Sequence, residues 1–193
     1  MNLPNQLTFF RIGLIPVLVV LFYLPFKWTM FAAAAIFAIG AITDIVDGYI
    51  ARSRNLTSEL GAFLDPVADK LMVTVALALL IQSHGSLWMT VPATVIICRE
   101  ILVSALREWM GTYGSTGNVS VAFVGKVKTT LQMLSIIGLL ANPPGIYYWL
   151  PHPGNYDWLL LLAYALLYAS FFLTLWSLVH YLKMAWPDLT SGR

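Results

Sequence analysis

The chain has 193 residues, 59% of them hydrophobic and only 10% charged, with a formal net charge of +2 and a mean hydropathy of +0.77. These values exclude a soluble globular domain of this length, and so small a net charge makes no case for nucleic acid as a partner. The solvent for most of this chain is lipid.

Apolar runs of about twenty residues, enough to cross a bilayer as helix, cover residues 7–25, 28–50, 61–83, 87–110, 119–142 and 157–182. They predict an all-α membrane protein of six transmembrane helices, one domain over residues 1–193. A closed barrel is the other spanning solution, but its strands would alternate apolar and polar residues. Leu159-Leu160-Leu161-Leu162-Ala163 is apolar throughout.

In chain order, residues 1–8 lack a basic region and no small-residue cleavage site follows the first run, so that run is expected to stay as a helix rather than be removed as a signal peptide. Leu3-Pro4-Asn5-Gln6-Leu7-Thr8 reads as a short interfacial segment, with Asn5 or Thr8 capping the first helix and Phe9 and Phe10 at headgroup depth. The second run carries Ala32-Ala33-Ala34-Ala35 and Gly40, small residues that let backbones approach, and its end holds Asp44, Asp47, Gly48 and Arg52. The third opens with Gly61, Asp65 and Asp69. Arg99 and Glu100 sit inside the fourth, between Val95-Ile96-Ile97-Cys98 and Ile101-Leu102-Val103, with Arg107 and Glu108 at its end.

Cys98 is the only cysteine, which excludes an internal disulfide, and it reads as a small buried apolar residue. The glycine-rich residues 111–117 lack the lysine and strand context of a phosphate-binding loop and read as a connection. Lys126 and Lys128 open the fifth run, Asn142-Pro143-Pro144-Gly145 ends it, and Tyr147, Tyr148, Trp149 and Trp158 form an aromatic belt. No repeat or low-complexity segment interrupts the series.

Charge placement orients the bundle. Arg52, Arg54, Arg107, Lys183 and Arg193 fall on one side; the opposite connections hold only Lys27, while His84-Gly85-Ser86 and residues 142–157 contain no Lys or Arg. The positive-inside rule then places both termini and the aspartate end in the cytoplasm.

On a helix, residues three and four apart share a face. Asp44, Asp47, Gly48 and Ala51 therefore line one side of the second helix, and Gly61, Asp65 and Asp69 one stripe of the third. The short link at residues 53–60 makes these helices antiparallel neighbours, so the four carboxylates can converge. A carboxylate in hydrocarbon costs roughly 2.5–3.5 kcal/mol on insertion scales, so four together call for cations. All-oxygen ligation suits Mg²⁺ or Mn²⁺, and positions left open on such an ion suit phosphate. Gly48 and Gly61 leave room for a ligand such as a nucleotide to approach backbone, close helix packing being the alternative. Arg52 can clamp a diphosphate or serve as an inner-leaflet anchor.

The run D-x2-D-G-x2-A-R-x8-G-x3-D-x3-D from Asp44 to Asp69 resembles the signature of the CDP-alcohol phosphotransferase family at every fixed position. The resemblance implies a six-helix membrane fold and a reaction in which an acceptor hydroxyl attacks the β-phosphorus of a CDP-linked alcohol and releases CMP. It implies Asp44, Asp47, Asp65 and Asp69 as ligands of two Mg²⁺ or Mn²⁺ ions, Asp69 also as the base, and Gly48, Ala51, Arg52 and Gly61 as CDP contacts. A homodimer is implied as well.

Arg99, Arg107, Lys126 and Lys128 suggest a cationic pocket for an acceptor that bears a phosphate, the alternative being structural pairing of Arg99 or a lysine with a carboxylate. The flanks Asn2-Leu3-Pro4-Asn5-Gln6-Leu7-Thr8 with Arg11, Asp65-Pro66-Val67-Ala68-Asp69-Lys70, Arg99-Glu100, Ser104-Ala105-Leu106-Arg107-Glu108 and Gly125-Lys126-Val127-Lys128-Thr129 resemble the bacterial branch whose acceptor is sn-glycerol 3-phosphate. That implies CDP-diacylglycerol as donor, phosphatidylglycerol phosphate and CMP as products, and the bacterial inner membrane as location. Two rivals remain: the same chemistry on inositol phosphate, serine or phosphatidylglycerol, and a cation-coupled transporter, which the one-ended acidic cluster and missing repeat disfavour.

Overall fold

The computed structural model describes residues 3–26, 28–54, 59–112, 121–142 and 157–190, with side chains described except at 3–5, 47, 49–54, 59, 60, 62, 107, 110–112, 121–124, 157, 184, 185 and 187–190. Among the described residues six helices follow one another: α1 (Leu3–Tyr23), α2 (Trp28–Arg54), α3 (Glu59–His84), α4 (Leu87–Thr112), α5 (Val121–Ala141) and α6 (Asp157–Thr190). Long unbroken apolar runs form helices here because each helix satisfies its own backbone hydrogen bonds, which lipid cannot do. The prolines at 16, 66 and 92 lie inside α1, α3 and α4 without ending them.

The expected separate segment at residues 3–8 is instead the opening of α1. Pro4 suits a first helical turn, where its missing N–H is not needed. Thr8 is no cap: its side chain is fully buried within the bundle. Between α3 and α4 the chain turns at Gly85, whose φ of 54° is the left-handed conformation that ends helices at low cost for glycine. Its amide donates to Ile81 O at 3.1 Å, and the Thr90 amide donates to Ser86 O at 2.9 Å.

The helices pack in a closed ring in the order α1, α2, α5, α6, α4, α3, and α3 also reaches across to α2 and α5. The shared core draws on every helix, with Leu18, Phe37, Ala76, Leu80, Met89, Ile96, Ile136, Leu139 and Leu167 fully buried. At Gly138 an added Cβ would lie 2.9 Å from Ala163 Cβ, so α5 and α6 meet at backbone range, and Ser135 Oγ donates to Ala163 O at 2.8 Å across the same seam. Small residues and one interhelical hydrogen bond are what drive helix association in lipid.

Large apolar side chains also cover the outside, among them Ile42, Ile45, Leu87, Trp88, Leu161 and Phe172. A water-soluble bundle would present charges there; this one is integral to a membrane. Among the described residues, four helices contain windows long and apolar enough to cross one, residues 6–23, 28–46, 87–106 and 158–183. The expectation of six is thus met for α1, α2, α4 and α6. The other two, α3 and α5, carry Asp65, Asp69 and Lys70, and Lys126, Lys128 and Gln132. Cys98, expected to be buried, is exposed. The inward stripe of α4 runs through Met89, Ala93, Ile96 and Val103, and two residues beyond Ile96 is the other side of a helix.

Candidate active site

Because consecutive helices reverse direction, one end of the bundle gathers the start of α1, the end of α2, the start of α3, the end of α4, the start of α5 and the end of α6. Among the described residues, Arg11, Asp44, Asp65, Asp69, Lys70, Arg99, Glu100 and Lys128 lie towards that end. Arg11, from α1, is 1% exposed; its Nη1 donates to Asp44 Oδ1 of α2 at 2.5 Å and its Nη2 to Asp65 Oδ1 of α3 at 3.3 Å. Thr8, one turn earlier on the same face, donates its hydroxyl to that same Asp65 oxygen. Both carboxylates keep 39% of their side-chain surface exposed, so the cation is buried beneath and the acids form a rim.

Beside them, Arg11, Phe37, Gly40, Ala41, Asp44, Asp69, Met72, Val73 and Met133 line a small cleft. Its lining is mostly apolar, with Asp44 and Asp69 as the acidic groups and Arg11 as the cation. Asp69, on that wall, lies in electrostatic range of Asp44 and Glu100, which repel it, and of Arg11 and Lys70, which attract it. Lys70 donates to Ser104 Oγ and so ties α3 to α4.

The structure therefore brings Asp44, Asp65 and Asp69 to one place. The side chain of Asp47 lies outside the described residues, as do those of Ala51 and Arg52. Gly48 is half-buried and Gly61 buried. Among the described residues no three His, Cys, Asp or Glu side chains close on a single point in the manner of a complete metal site. By donor type the carboxylates fit a hard divalent ion: oxygens from two helices already converge on one cationic group.

A second polar cluster lies on α4, α5 and α6. Glu100 Oε1 accepts from Arg99 Nη1 at 3.3 Å and from Lys128 Nζ. Arg99 Nη2 donates to Ser177 Oγ of α6 at 2.9 Å, and its guanidinium carbon lies 5.8 Å from the centroid of the Tyr181 ring. Of the four cations grouped from sequence, Arg99 and Lys128 meet here, Lys126 is exposed, and the Arg107 side chain is outside the described residues. Residues 126 and 128 are two apart on a helix and so face different ways.

Sequence reading undervalued Arg11, Thr8, Ser177 and Tyr181. For Arg11 a signal was present, because a charge inside an apolar run is the same mark that singled out Arg99. Ser177 and Tyr181 gave none.

The chain matches the CDP-alcohol phosphatidyltransferase family over residues 1–176 and belongs to it. Its relatives are more specific. It is 52% identical over 196 aligned positions to a CDP-diacylglycerol--glycerol-3-phosphate 3-phosphatidyltransferase of Pseudomonas fluorescens, covering 100% of this chain and 95% of that one. It is 47% identical to the protein of the same name from Salmonella choleraesuis and 46% to that of Escherichia coli K12, each covering 97% of both chains.

Proposed function

We propose that this protein transfers the phosphatidyl group of CDP-diacylglycerol to sn-glycerol 3-phosphate, giving phosphatidylglycerol phosphate and CMP. The observation that carries this is the placement, at one end of a membrane bundle, of an acidic cleft next to a cationic cluster of net charge +1, built from Arg99, Lys128 and Glu100. A diphosphate-linked donor and a phosphorylated acceptor need those two surfaces side by side. Full-length similarity to enzymes of that name supports the same reading.

In this reading Asp44, Asp47, Asp65 and Asp69 hold two divalent ions, Mg²⁺ or Mn²⁺, with Arg11 and Thr8 setting the positions of Asp44 and Asp65. When bound, such ions supply charge neutralisation for the diphosphate and for CMP as it leaves. Gly48, Ala51, Arg52 and Gly61 hold the CDP group. Arg99 and Lys128, with Lys126 and Arg107 nearer the surface, hold the acceptor's phosphate. Asp69 takes the proton from the acceptor hydroxyl as its oxygen bonds to the β-phosphorus and the bond to the CMP oxygen breaks. The diacylglycerol tails stay in lipid, which explains why the site is built at a bundle end.

All six helices cross the bacterial inner membrane, with the site and both termini on the cytoplasmic side, and two copies form a homodimer. The test is CMP release by purified protein in detergent micelles supplied with CDP-diacylglycerol. Glycerol 3-phosphate should support turnover, glycerol, serine and inositol phosphate should not, and a chelator should stop it. Preference for an unphosphorylated acceptor would overturn the assignment.

A further inference from the structure

Arg99 is 6% exposed, and a long buried cation must have its direction fixed if it is to meet a small anion in a repeatable geometry. Three of its contacts fix it. Glu100 accepts from Nη1 at 3.3 Å, Ser177 accepts at Nη2 at 2.9 Å, and the ring of Tyr181 lies 5.8 Å from the guanidinium carbon. The Ser177 hydroxyl is itself aimed, since it donates to Thr174 O at 2.9 Å and so offers its lone pairs to the arginine. Engaging both terminal nitrogens of a planar group sets its plane, and an aromatic face adds attraction for the cation. Lys128 is held through the same Glu100 oxygen, so the two cations are locked to each other and to α6.

Ser177 and Tyr181 sit on successive turns of α6, four residues apart and so on one face. Both lie beyond residue 176, where the family match ends. A contact beyond the matched part can set acceptor preference without altering the aspartates inside it. We propose that Ser177 and Tyr181 are positioning residues for the phosphorylated acceptor: they hold Arg99 in the orientation in which it and Lys128 receive the acceptor's phosphate. This rests on the acceptor reading given above.

The test is steady-state kinetics of the full chain in micelles, with each substrate varied in turn and thermal unfolding recorded for each variant. Ser177→Ala should raise the KM for glycerol 3-phosphate about five- to tenfold, the range of one ordinary hydrogen bond, while the KM for CDP-diacylglycerol and kcat stay within twofold. Tyr181→Leu should act in the same direction, and Tyr181→Phe, which keeps the ring face, should restore wild-type values. Equal changes in both KM values, or none, in Ser177→Ala and Tyr181→Leu would overturn the proposal. Lys128→Met separates the two readings. If it too leaves the glycerol 3-phosphate KM unchanged, the acceptor pocket itself is wrong; if it raises that KM while the α6 variants do nothing, only the role of α6 falls. Should Ser177→Ala fail to fold, Ser177→Cys, which keeps the volume and weakens the acceptor, carries the same expectation at smaller amplitude.

Discussion

Arg11 and Asp69 divide the acidic end between them. Asp69 lines the cleft without the direct arginine bond that Asp44 and Asp65 receive, which suits it to exchange a proton while its neighbours hold position. Replacing it by Asn keeps shape and removes the ability to take a proton. Asp69→Asn should lower turnover by about 10²–10⁴-fold, the span of general-base effects, while CDP-diacylglycerol binding measured by competition persists. Arg11 has a different duty. Its removal leaves two carboxylates from separate helices facing each other over a buried gap. The cost of stripping a partner from a buried pair is several kcal/mol, reduced here because both acids are part-exposed. Arg11→Met should therefore lower unfolding stability by about 1–3 kcal/mol. Arg11→Lys should lose less of it, keeping the charge but not the two-pronged reach. Unfolding in detergent measures both.

At the level of helices, the sequence announces most of the architecture. A run of some twenty apolar residues has no alternative to helix in lipid, so all six elements were legible. Their ends were less so, because helical hydrogen bonding continues past the last apolar residue: α2 extends to Arg54 and α6 to Thr190. The aspartates were legible for the same local reason, i to i+3 and i+4 spacing within one helix. Arg11 on Asp44 and Ser177 on Arg99 were not, since no periodicity links side chains 33 or 78 residues apart.

Close approach of helices could be guessed from small residues but not assigned to pairs. The two tight glycines now differ in kind. At Gly138 a Cβ meets Ala163 Cβ at 2.9 Å, an atom fixed to the α6 backbone, whereas at Gly40 it meets the flexible tip of Met72. Gly138→Ala should thus force α5 from α6 and cost about 1–3 kcal/mol by overpacking, outweighing the roughly 0.5–1 kcal/mol alanine adds to helix propensity. Gly40→Ala should cost less stability, because Met72 can swing, but Met72 lines the cleft, so its loss should appear in activity. Melting temperature and CMP release of the two variants separate these outcomes.

For the molecule as a whole, the distribution of polarity is reversed from that of a soluble bundle: ions inside at one end, large apolar groups outside. That reversal makes the number of spans testable helix by helix. Phe172 stands on the outer surface of α6 at 62% exposure and Leu134 on that of α5 at 51%, both away from helix ends. If a helix crosses the bilayer, an arginine at such a place costs about 3–4 kcal/mol relative to an apolar residue on insertion scales. Facing water, it would cost almost nothing. Phe172→Arg should therefore sharply reduce the fraction of protein recovered in membranes, α6 having a window long and apolar enough to span. Leu134→Arg is the more informative change, because α5 carries buried Lys128 and Gln132 and its transmembrane state depends on those groups being sheltered by α2 and α6. An equal loss for Leu134→Arg would place α5 across the bilayer with the others. Normal membrane recovery and activity would mean that its outer face meets water or headgroups, and the count of six spans would have to be reduced.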